Sequence, residues 1–390
     1  MSERLEYYCK SIADGDHQAP PKSESGIPFI TISCLSPNGN GINYSDAAHV
    51  PFEYYESLPS KRKPQPGDVL LSVVGSLGIP YLVKEGDCFA FQRHIAILKP
   101  SNRILPEYLY YLLKSPSVNS YINSVAQGAA QRTLTLTQLK SMEVEVPSID
   151  IQRKIIDRLC PYDKLIENNR KQIALLEEAA QRLYKEWFVD LRFPGAADSE
   201  IINGIPQGWH EEKLSDIANV VMGQSPKSEY YNDKGEGLPF HQGVSNFGLR
   251  FVTDKIYSTS STRIGKAGSI LFSVRAPVGR LNYTKKDIVL GRGLAAMNHR
   301  QGLQSYLYYL LKERFFKDDI IGNGSIFASI SKGELLAQKF VVPTIEIAAR
   351  FNSLCAPIDK QIEKCDDMLK AAQEARDRLL PKLMSGEIEV

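Results

Sequence analysis

An internal duplication limits the possible folds of this 390-residue sequence more than any other feature. The string YLYYLLK occurs at residues 108–114 and again at 306–312. Because each copy is far longer than a solenoid repeat, the pattern predicts two homologous domains rather than a repeat array. Three more pairs of matching segments follow in the same order, with a gradually drifting offset: 26–30 with 237–241, 67–78 with 268–279, and 143–151 with 339–347.

Each copy has the same internal order of elements. Short strand-like runs, such as DVLLSVV in the first copy and SILFSV in the second, are separated by Gly, Pro, Asn and Ser. The string YLYYLLK predicts a short helix, because its leucines share one helix face. Each copy closes with a long helical stretch. We therefore predict an α/β (α+β) fold, with duplicated globular domains over 1–148 and 196–343 and long helices over 149–195 and 344–390.

The two long stretches carry apolar residues at 4-3-4-3 spacing, which is typical of a coiled coil. A single chain can bury both apolar stripes by pairing the helices, and an antiparallel pair would separate the globular domains and create a pseudo-twofold axis. Pro161 and Pro357 predict a kink or the start of the main helical segment, and Arg376 on the seam predicts looser packing or a partner contact. The residues predicted to pair the helices are Ile155, Leu159, Ile166, Asn169, Ile173, Leu176, Leu183, Phe351, Ile358, Ile362, Leu369, Leu379 and Leu383.

The composition argues against several classes of protein. With 43% hydrophobic and 24% charged residues, the chain has enough apolar material for folded cores. No apolar run approaches the roughly 20 residues that span a bilayer, and the N-terminal MSERLEYYCK lacks the apolar segment of a secretion signal, which favours a cytoplasmic protein. Six cysteines without CxxC spacing predict reduced thiols rather than a metal site. No P-loop, HExxH or GxSxG motif points to catalysis.

Although the net charge is only +2, each copy contains a locally basic stretch. Residues 259–300 carry eight Lys and Arg against Asp287 alone, and the equivalent residues 58–99 carry six against three acidic residues. Basic surfaces suit phosphate contacts, and polar loop side chains suit base reading, although a solvated surface without a ligand is the alternative. The residues that we predict to bind DNA are His17, Gln18, Lys61, Arg62, Lys63, Arg93, Gln131, Arg132, Gln224, Lys227, His241, Gln242, Arg250, Arg263, Lys266, Arg275 and Arg292.

Four segments resemble the specificity (S) subunits of type I restriction–modification systems. LYKEWFVDLRFPG at 183–195 resembles the end of the family's central conserved region, and RDRLLPKLMSGEI at 376–388 resembles its C-terminal signature. GIPQGWHEEKLSDIANVVMGQSP at 204–226 and SIADGDHQAPPKSESGIPF at 11–29 resemble the openings of target recognition domains. Together with the duplication, the resemblance covers essentially the whole chain.

The resemblance implies two α/β target recognition domains that each read one half of a split, asymmetric site on double-stranded DNA. The helices would set the spacer and dock two modification subunits, which would bind S-adenosylmethionine and methylate adenine N6. Restriction subunits would add translocation and cleavage that depend on ATP and Mg. The chain itself would be a non-catalytic subunit that binds no cofactor and no membrane.

The two copies differ at their starts, because the first lacks a counterpart of Gly208, Trp209 and His210. In the pseudo-circular layout of the family, the C-terminal SGEIEV would lie beside the start of the first copy. Two other functions stay open from the residues alone. The chain could be a DNA methyltransferase or nuclease with unrecognised motifs, or an interaction protein whose basic stretches are incidental.

Overall fold

The chain folds into two compact units, one made of Met1–Glu167 with Ala371–Val390 and the other of Asn168–Lys370. Each unit contains one globular domain and part of each long helix, so the units cut across the helices rather than ending where the helices begin. The computed structural model describes residues 2–36, 41–128, 132–202, 204–315 and 329–390.

The globular part of the first unit is built on a four-stranded antiparallel sheet. In spatial order its strands are Cys9–Asp14, Ile95–Pro100, Val69–Ser72 and Pro80–Leu82. A three-stranded sheet and a two-stranded ribbon complete this part. The three-stranded sheet has the order Ala48–Val50, Ile27–Ile30 and Ala90–Phe91, and the ribbon pairs Ser2–Arg4 with Glu143–Glu145.

The central strands of the four-stranded sheet are buried on both faces. Along Val69–Ser72, Val69 and Leu71 belong to one apolar cluster while Leu70 belongs to a second. Because successive side chains of a strand point to opposite faces, this alternation places a core on each side of the sheet. A strand that is covered on both faces has a continuous apolar sequence, which explains the run VLLS.

Short helices surround this sheet, and their first residues explain where they begin. Pro106 and Pro116 stand at first-turn positions, where proline loses no hydrogen bond. Thr135 and Gln138 form a reciprocal capping box before a third helix. The α-helices are Phe52–Ser57, Pro106–Lys114, Pro116–Val125 and Leu136–Lys140, and the 3₁₀ turns are Leu5–Tyr8, Ile32–Cys34 and Tyr44–Asp46.

The globular part of the second unit repeats this architecture. Its four-stranded antiparallel sheet has the order Ala218–Met222, Leu294–His299, Ile270–Ser273 and Leu281–Tyr283. A five-stranded sheet and a ribbon correspond to the smaller sheets of the first unit, and a short hairpin precedes them. Their strands are Tyr231–Asn232, Tyr257–Ser258, Leu238–His241, Ile288–Leu290 and Ile264–Gly265 in the sheet, His210–Lys213 with Lys339–Val342 in the ribbon, and Ile201–Ile202 with Ile205–Pro206 in the hairpin.

The helices of the second unit follow the same plan, which confirms the duplicated mixed α and β domains predicted from sequence. Ser331 and Glu334 form a capping box at the place that Thr135 and Gln138 occupy in the first unit. The α-helices are Leu214–Ile217, Gln304–Phe315 and Lys332–Leu336, and the 3₁₀ turns are Ala196–Asp198, Ser228–Tyr230 and Val244–Asn246.

Two long helices, Ile149–Tyr184 and Ile345–Met384, pair antiparallel within each unit. In the first unit Ile155 and Leu159 share a core cluster with Leu380 and Leu383, while Asp163 lies beside Arg376. In the second unit the Cys365 thiol donates to Gln172 Oε1 and Trp187 packs on Phe351. Residue numbers rise along one helix as they fall along the other in both units. The first helix ends in a π-helical turn, Lys185–Val189.

Most residues predicted to pair the helices lie in the interior. The buried ones are Ile155, Leu159, Ile166, Asn169, Ile173, Phe351, Ile362, Leu369 and Leu383, and the half-buried ones are Leu176, Leu183, Ile358 and Leu379. One alternative in each of two expectations for this region is wrong. Pro161 and Pro357 lie inside continuous helices, so neither begins the main segment. Arg376 does not meet a partner, because it is 2% exposed and ion-paired with Asp163 and Asp377.

The C-terminal residues pack against the start of the first globular domain. Val390 is partly buried and packs against the apolar core of this domain. Its carbonyl accepts a hydrogen bond from Lys154 Nζ at 3.0 Å. Ile388 lines the same cavity as Glu145, the register partner of Ser2. The tail therefore reaches the ribbon that the N-terminal strand forms.

None of the helices in the described ranges is long and apolar enough to cross a membrane. All six cysteines are free thiols, and no cluster of His, Cys, Asp and Glu side chains with metal-binding geometry occurs in the described ranges.

Candidate nucleic-acid interface

In the second unit, several loops meet beyond one end of the four-stranded sheet. Gly223, which follows the strand Ala218–Met222, donates its amide to the Leu294 carbonyl at 2.9 Å. A Cβ at Gly223 would clash with the Gly291 carbonyl, so only glycine allows this close approach of the two loops. Gly293 donates in turn to the Gln242 carbonyl at 3.1 Å, which brings a third loop to the same place.

Polar side chains from these loops are joined by hydrogen bonds. The Ser225 hydroxyl donates to Gln242 Oε1 at 2.7 Å and accepts from the Arg292 amide at 3.1 Å. The Thr262 hydroxyl donates to the Gln224 carbonyl at 2.6 Å. We call this surface the loop face of the second unit; its residues are Gln224, Ser225, Gln242, Thr262, Arg263, Arg275 and Arg292.

Three arginines of this loop face present their charges to solvent. Backbone hydrogen bonds fix two of them near Arg292: Leu290 N donates to the Arg263 carbonyl at 2.8 Å, and Val274 N, next to Arg275, donates to the Gly293 carbonyl at 2.9 Å. All three arginines are exposed, and no carboxylate in the described part of the chain forms an ion pair with them. Arginine binds phosphate and guanine through paired N–H donors, so this face is suited to DNA.

The first unit carries an equivalent loop face. Gly15 donates its amide to the Ile95 carbonyl at 3.2 Å, as Gly223 does to Leu294, and a Cβ there would clash with the backbone at Phe91. Arg93 N donates to the Asp16 carbonyl at 3.2 Å. We call this surface the loop face of the first unit; its residues are Asp14, Asp16, His17, Gln18, Arg62, Gln92, Arg93, His94 and Arg132.

This face differs from that of the second unit in containing carboxylates. Arg62 lies 3.5 Å from Asp14 and 3.9 Å from Asp16, and His17 Nε2 lies 2.7 Å from Asp14. Burial raises the pKa of Asp16, but hydrogen bonds from Gln18 N and the Tyr54 hydroxyl and the charge of Arg62 outweigh it, so the pKa stays below its ordinary value. The Arg62 charge is therefore largely neutralised within the domain.

Arg132 and Arg93 also belong to the loop face of the first unit. Gly75 N donates to the Arg132 carbonyl at 2.9 Å, and the exposed Arg132 guanidinium donates to Asn123 Oδ1 at 3.0 Å. Arg93 is exposed and has no ion-pair partner among the residues that the structure describes. Gln131 lies outside the described residues.

Two predicted DNA-binding residues are buried, which corrects the expectation for both. Arg250 is 1% exposed, and its guanidinium lies 3.4 Å from the centroid of the Tyr308 ring and 2.6 Å from Asp359. His241 is fully buried, with Nε2 3.0 Å from Asp254. Both residues support the interior of the second unit and present no side chain to a ligand.

The predicted lysines lie on the surface outside the loop faces. Lys63 pairs with Glu56 at 2.8 Å, and Lys266 pairs with Asp287 at 2.8 Å. Lys227 lies 3.8 Å from Glu229, and Lys61 is exposed. Exposed pairs of this kind contribute about 0–1 kcal/mol and exchange readily with solvent.

The sequence reasoning missed Gln92, His94, Ser225 and Thr262. The repeat held a signal for Gln92 and His94, because the turn before the strand Ile95–Pro100 matches the turn before Leu294–His299. Ser225 and Thr262 lie in other loops, and no pattern pointed to them. The prediction was based on positive charge, so it included only the arginine of each turn.

The comparisons with known proteins agree with this architecture. A sequence model of the type I restriction modification DNA specificity domain matches residues 16–178 and again residues 206–365. The chain belongs to the family of type I restriction–modification specificity subunits. This specificity subunit is 30% identical over 381 residues to a Methanocaldococcus jannaschii protein provisionally named the type I restriction enzyme MjaX specificity subunit, covering 95% of this chain and 89% of that protein.

Two further relatives cover nearly the full length of the specificity subunit. It is 23% identical over 436 residues to the type I restriction enzyme HindI specificity subunit of Haemophilus influenzae, which covers 90% of this chain and 95% of that protein. The crystal structure of the type I restriction–modification system S subunit from M. genitalium has the same fold, with a TM-score of 0.58, 17% identity, and coverage of 98% of this chain and 95% of that chain.

Membership of this family decides between the functions left open by the sequence. A type I specificity subunit recognises a DNA sequence and is not itself an enzyme. The methyltransferase or nuclease alternative is therefore not favoured, and the two loop faces are the candidate surfaces for reading DNA.

Proposed function

We propose that each globular domain of the specificity subunit reads one half of a bipartite, asymmetric site on double-stranded DNA through its loop face. One observation carries this proposal: the same turn is presented at the same end of the equivalent sheet in both domains, with different side chains around it. A shared scaffold with different polar side chains suits two readers of different half-sites. The paired helices would set the length of the unread spacer.

The paired helices would also dock two modification subunits. Apolar side chains on the helices stay exposed to solvent, Leu175 to 64% and Leu354 to 47%, and such surfaces suit partner contacts. The modification subunits would supply S-adenosylmethionine and transfer methyl groups to adenine N6. Restriction subunits would supply ATP- and Mg-dependent translocation and cleavage, and the complex would act in the cytoplasm.

Footprinting with the assembled modification complex tests the proposal. The target is first identified as the methylated motif in host DNA, and a duplex that contains it is then cleaved by hydroxyl radicals in the presence of the complex. We expect two protected clusters separated by unprotected base pairs, because each domain would cover the sugar–phosphate backbone at its own half-site. One contiguous protected motif would contradict the proposal, and modification subunits alone serve as the control.

The enzyme alternative has its own test. The purified chain is incubated with labelled S-adenosylmethionine and target DNA, and the complex with modification subunits serves as the positive control. We expect label in the DNA only with the complex. Transfer by the chain alone would assign the chemistry to this subunit.

A further inference from the structure

The turn before one core strand of each sheet holds an arginine at the same backbone position. In the first unit Ser72 is the register partner of Ile95, and in the second Ser273 is the partner of Leu294. Counting back two residues from each partner gives Arg93 and Arg292. The two arginines therefore occupy equivalent places in the two copies.

Hydrogen bonds around the turn confirm this equivalence. The amide of Val73 donates to the His94 carbonyl at 2.9 Å, and the amide of Val274 donates to the Gly293 carbonyl at 2.9 Å. On the other side of the arginine, Gln92 N donates to the Ile30 carbonyl at 3.1 Å, where Gly291 N donates to the His241 carbonyl at 2.8 Å. Each turn is thus held at both ends by the same pair of strands.

The residues on either side of the arginine differ in chemistry. In the first unit Gln92 Nε2 lies 2.8 Å from His94 Nδ1, so Arg93 stands between two polar side chains. In the second unit the corresponding positions are Gly291 and Gly293, where any Cβ would clash with the backbone of Gln242. Gln242, from the neighbouring loop, occupies that space instead.

The shared arginine and its different neighbours indicate two different roles in DNA binding. Phosphate contacts position a protein without regard to sequence, whereas contacts to base edges specify it. A residue shared by two domains that read different half-sites is suited to the sequence-independent contact, which is the same in both. Both arginines are exposed and lack an ion-pair partner within the described ranges, so each can bind a phosphate without breaking an existing contact.

We infer that Arg93 and Arg292 are matched phosphate anchors that seat the two domains on their half-sites, and that the polar side chains beside them read the bases. The base-reading side chains would be Gln92 and His94 in the first unit and Gln224 and Gln242 in the second. Glutamine can pair with adenine by two hydrogen bonds, accepting from N6 through Oε1 and donating to N7 through Nε2. This inference rests on the proposed function and adds to it the roles of individual residues.

The test compares Arg93→Ala, Arg93→Lys, Arg292→Ala and Arg292→Lys in the full chain assembled with modification subunits. Affinity is measured for the target duplex and for duplexes with single base-pair changes, over a range of salt concentrations. Each alanine variant is expected to weaken binding to all duplexes by a similar factor and to lower the salt slope by about one. Each lysine variant is expected to keep the salt slope, because lysine still contacts phosphate as a point charge.

Controls come from exposed lysines outside the loop faces and from the residues that flank the arginines. Lys10→Ala and Lys213→Ala each remove an exposed lysine away from the loop faces, and the salt slope should be unchanged. Gln92→Ala and Gln242→Ala should relax discrimination at base pairs of one half-site while the salt slope stays the same. The half-site affected should be different for the two variants.

The possible failures are distinguishable. If the wild-type complex protects no split site, the proposed function fails. If it does protect one, but Arg292→Ala and Arg292→Lys both lose discrimination at one base pair, then Arg292 reads a base and the anchor role is wrong. An unchanged salt slope in both alanine variants would also overturn the inference while leaving the proposed function intact.

Discussion

Arg250 is held by charges and rings that are mostly buried. Its guanidinium stacks on Tyr308 and pairs with Asp359 at 2.6 Å and Glu177 at 3.3 Å, and these carboxylates are only 20% and 19% exposed. Arg250→Met would leave both without this cation, so we expect the free energy of unfolding of the second unit to fall by about 3–5 kcal/mol. Trp187 and Trp209, the only tryptophans of the chain, lie in this unit and report its urea denaturation by fluorescence.

The control for this measurement is Lys213→Met. Lys213 is exposed on the ribbon strand His210–Lys213, where a substitution is expected to change stability by no more than about 0.5 kcal/mol. If Arg250→Met cost less than about 1 kcal/mol, Arg250 would behave as an exposed ion pair, contrary to its burial.

Asp254 makes the stability of the second unit depend on pH. The hydrogen bond with the buried His241, at 3.0 Å, holds the pKa of Asp254 below its ordinary value, and Lys286 at 3.5 Å adds to the effect. A lowered carboxyl pKa stabilises the fold above the unfolded value of about 4 and loses that contribution as pH falls through the folded value. We expect Asp254→Asn to be less stable than wild type at pH 7, with the deficit shrinking below about pH 4. Urea denaturation at several pH values measures this, and a deficit independent of pH would indicate lost packing instead.

At the scale of secondary-structure elements, aspartates at equivalent positions of the two long helices anchor the globular domains to the helix pair. The arginine that neutralises the aspartate comes from a different part of the chain in each unit. Tyr111 donates to Asp163 at 2.6 Å in the first unit, and Tyr309 lies 3.4 Å from the equivalent Asp359 in the second. The repeated string YLYYLLK supplies both tyrosines, so the sequence contained this contact. The arginine could not be inferred from the repeat, because it comes from the C-terminal helix in one unit and from a loop of the globular domain in the other.

The contrast between local sequence patterns and contacts made by distant residues also explains which elements and site residues were predictable from sequence. Continuous apolar runs such as VLLS and heptad spacing over ten turns of helix follow from burial, and they indicated the strands and the helix pair correctly. His241 was assigned to a reading loop because its side chain can form hydrogen bonds with bases, yet it is the last residue of the buried strand Leu238–His241. Whether such a side chain faces the interior depends on strands that are distant in sequence, such as Ile288–Leu290, and periodicity does not encode that.

At the scale of the whole molecule, the boundary between the two units crosses the helices at matched positions. It falls after Glu167 in the first long helix and after Lys370 in the second, and Gln172 contacts Cys365 just beyond it within the second unit. Residues inserted at both positions would therefore lengthen the pair while each globular domain keeps the helix contact of its own unit, Tyr111 with Asp163 and Tyr309 with Asp359. This makes the helix pair the element to change when the proposed spacer role is tested.

Three added heptads in each helix provide that test. Twenty-one residues add about 31 Å of helix, close to the roughly 34–36 Å of one turn of B-DNA, so both half-sites would again face the same side of the duplex. We expect the variant, with modification subunits, to select from a library of spacers one that is longer by about nine base pairs, with both half-sites unchanged. One added heptad is the matched control: its roughly 10 Å corresponds to about a third of a DNA turn, which misaligns the half-sites and should weaken binding. Selection of the original spacer would show that the helices do not set the distance, and altered half-sites would show that the helices read bases themselves.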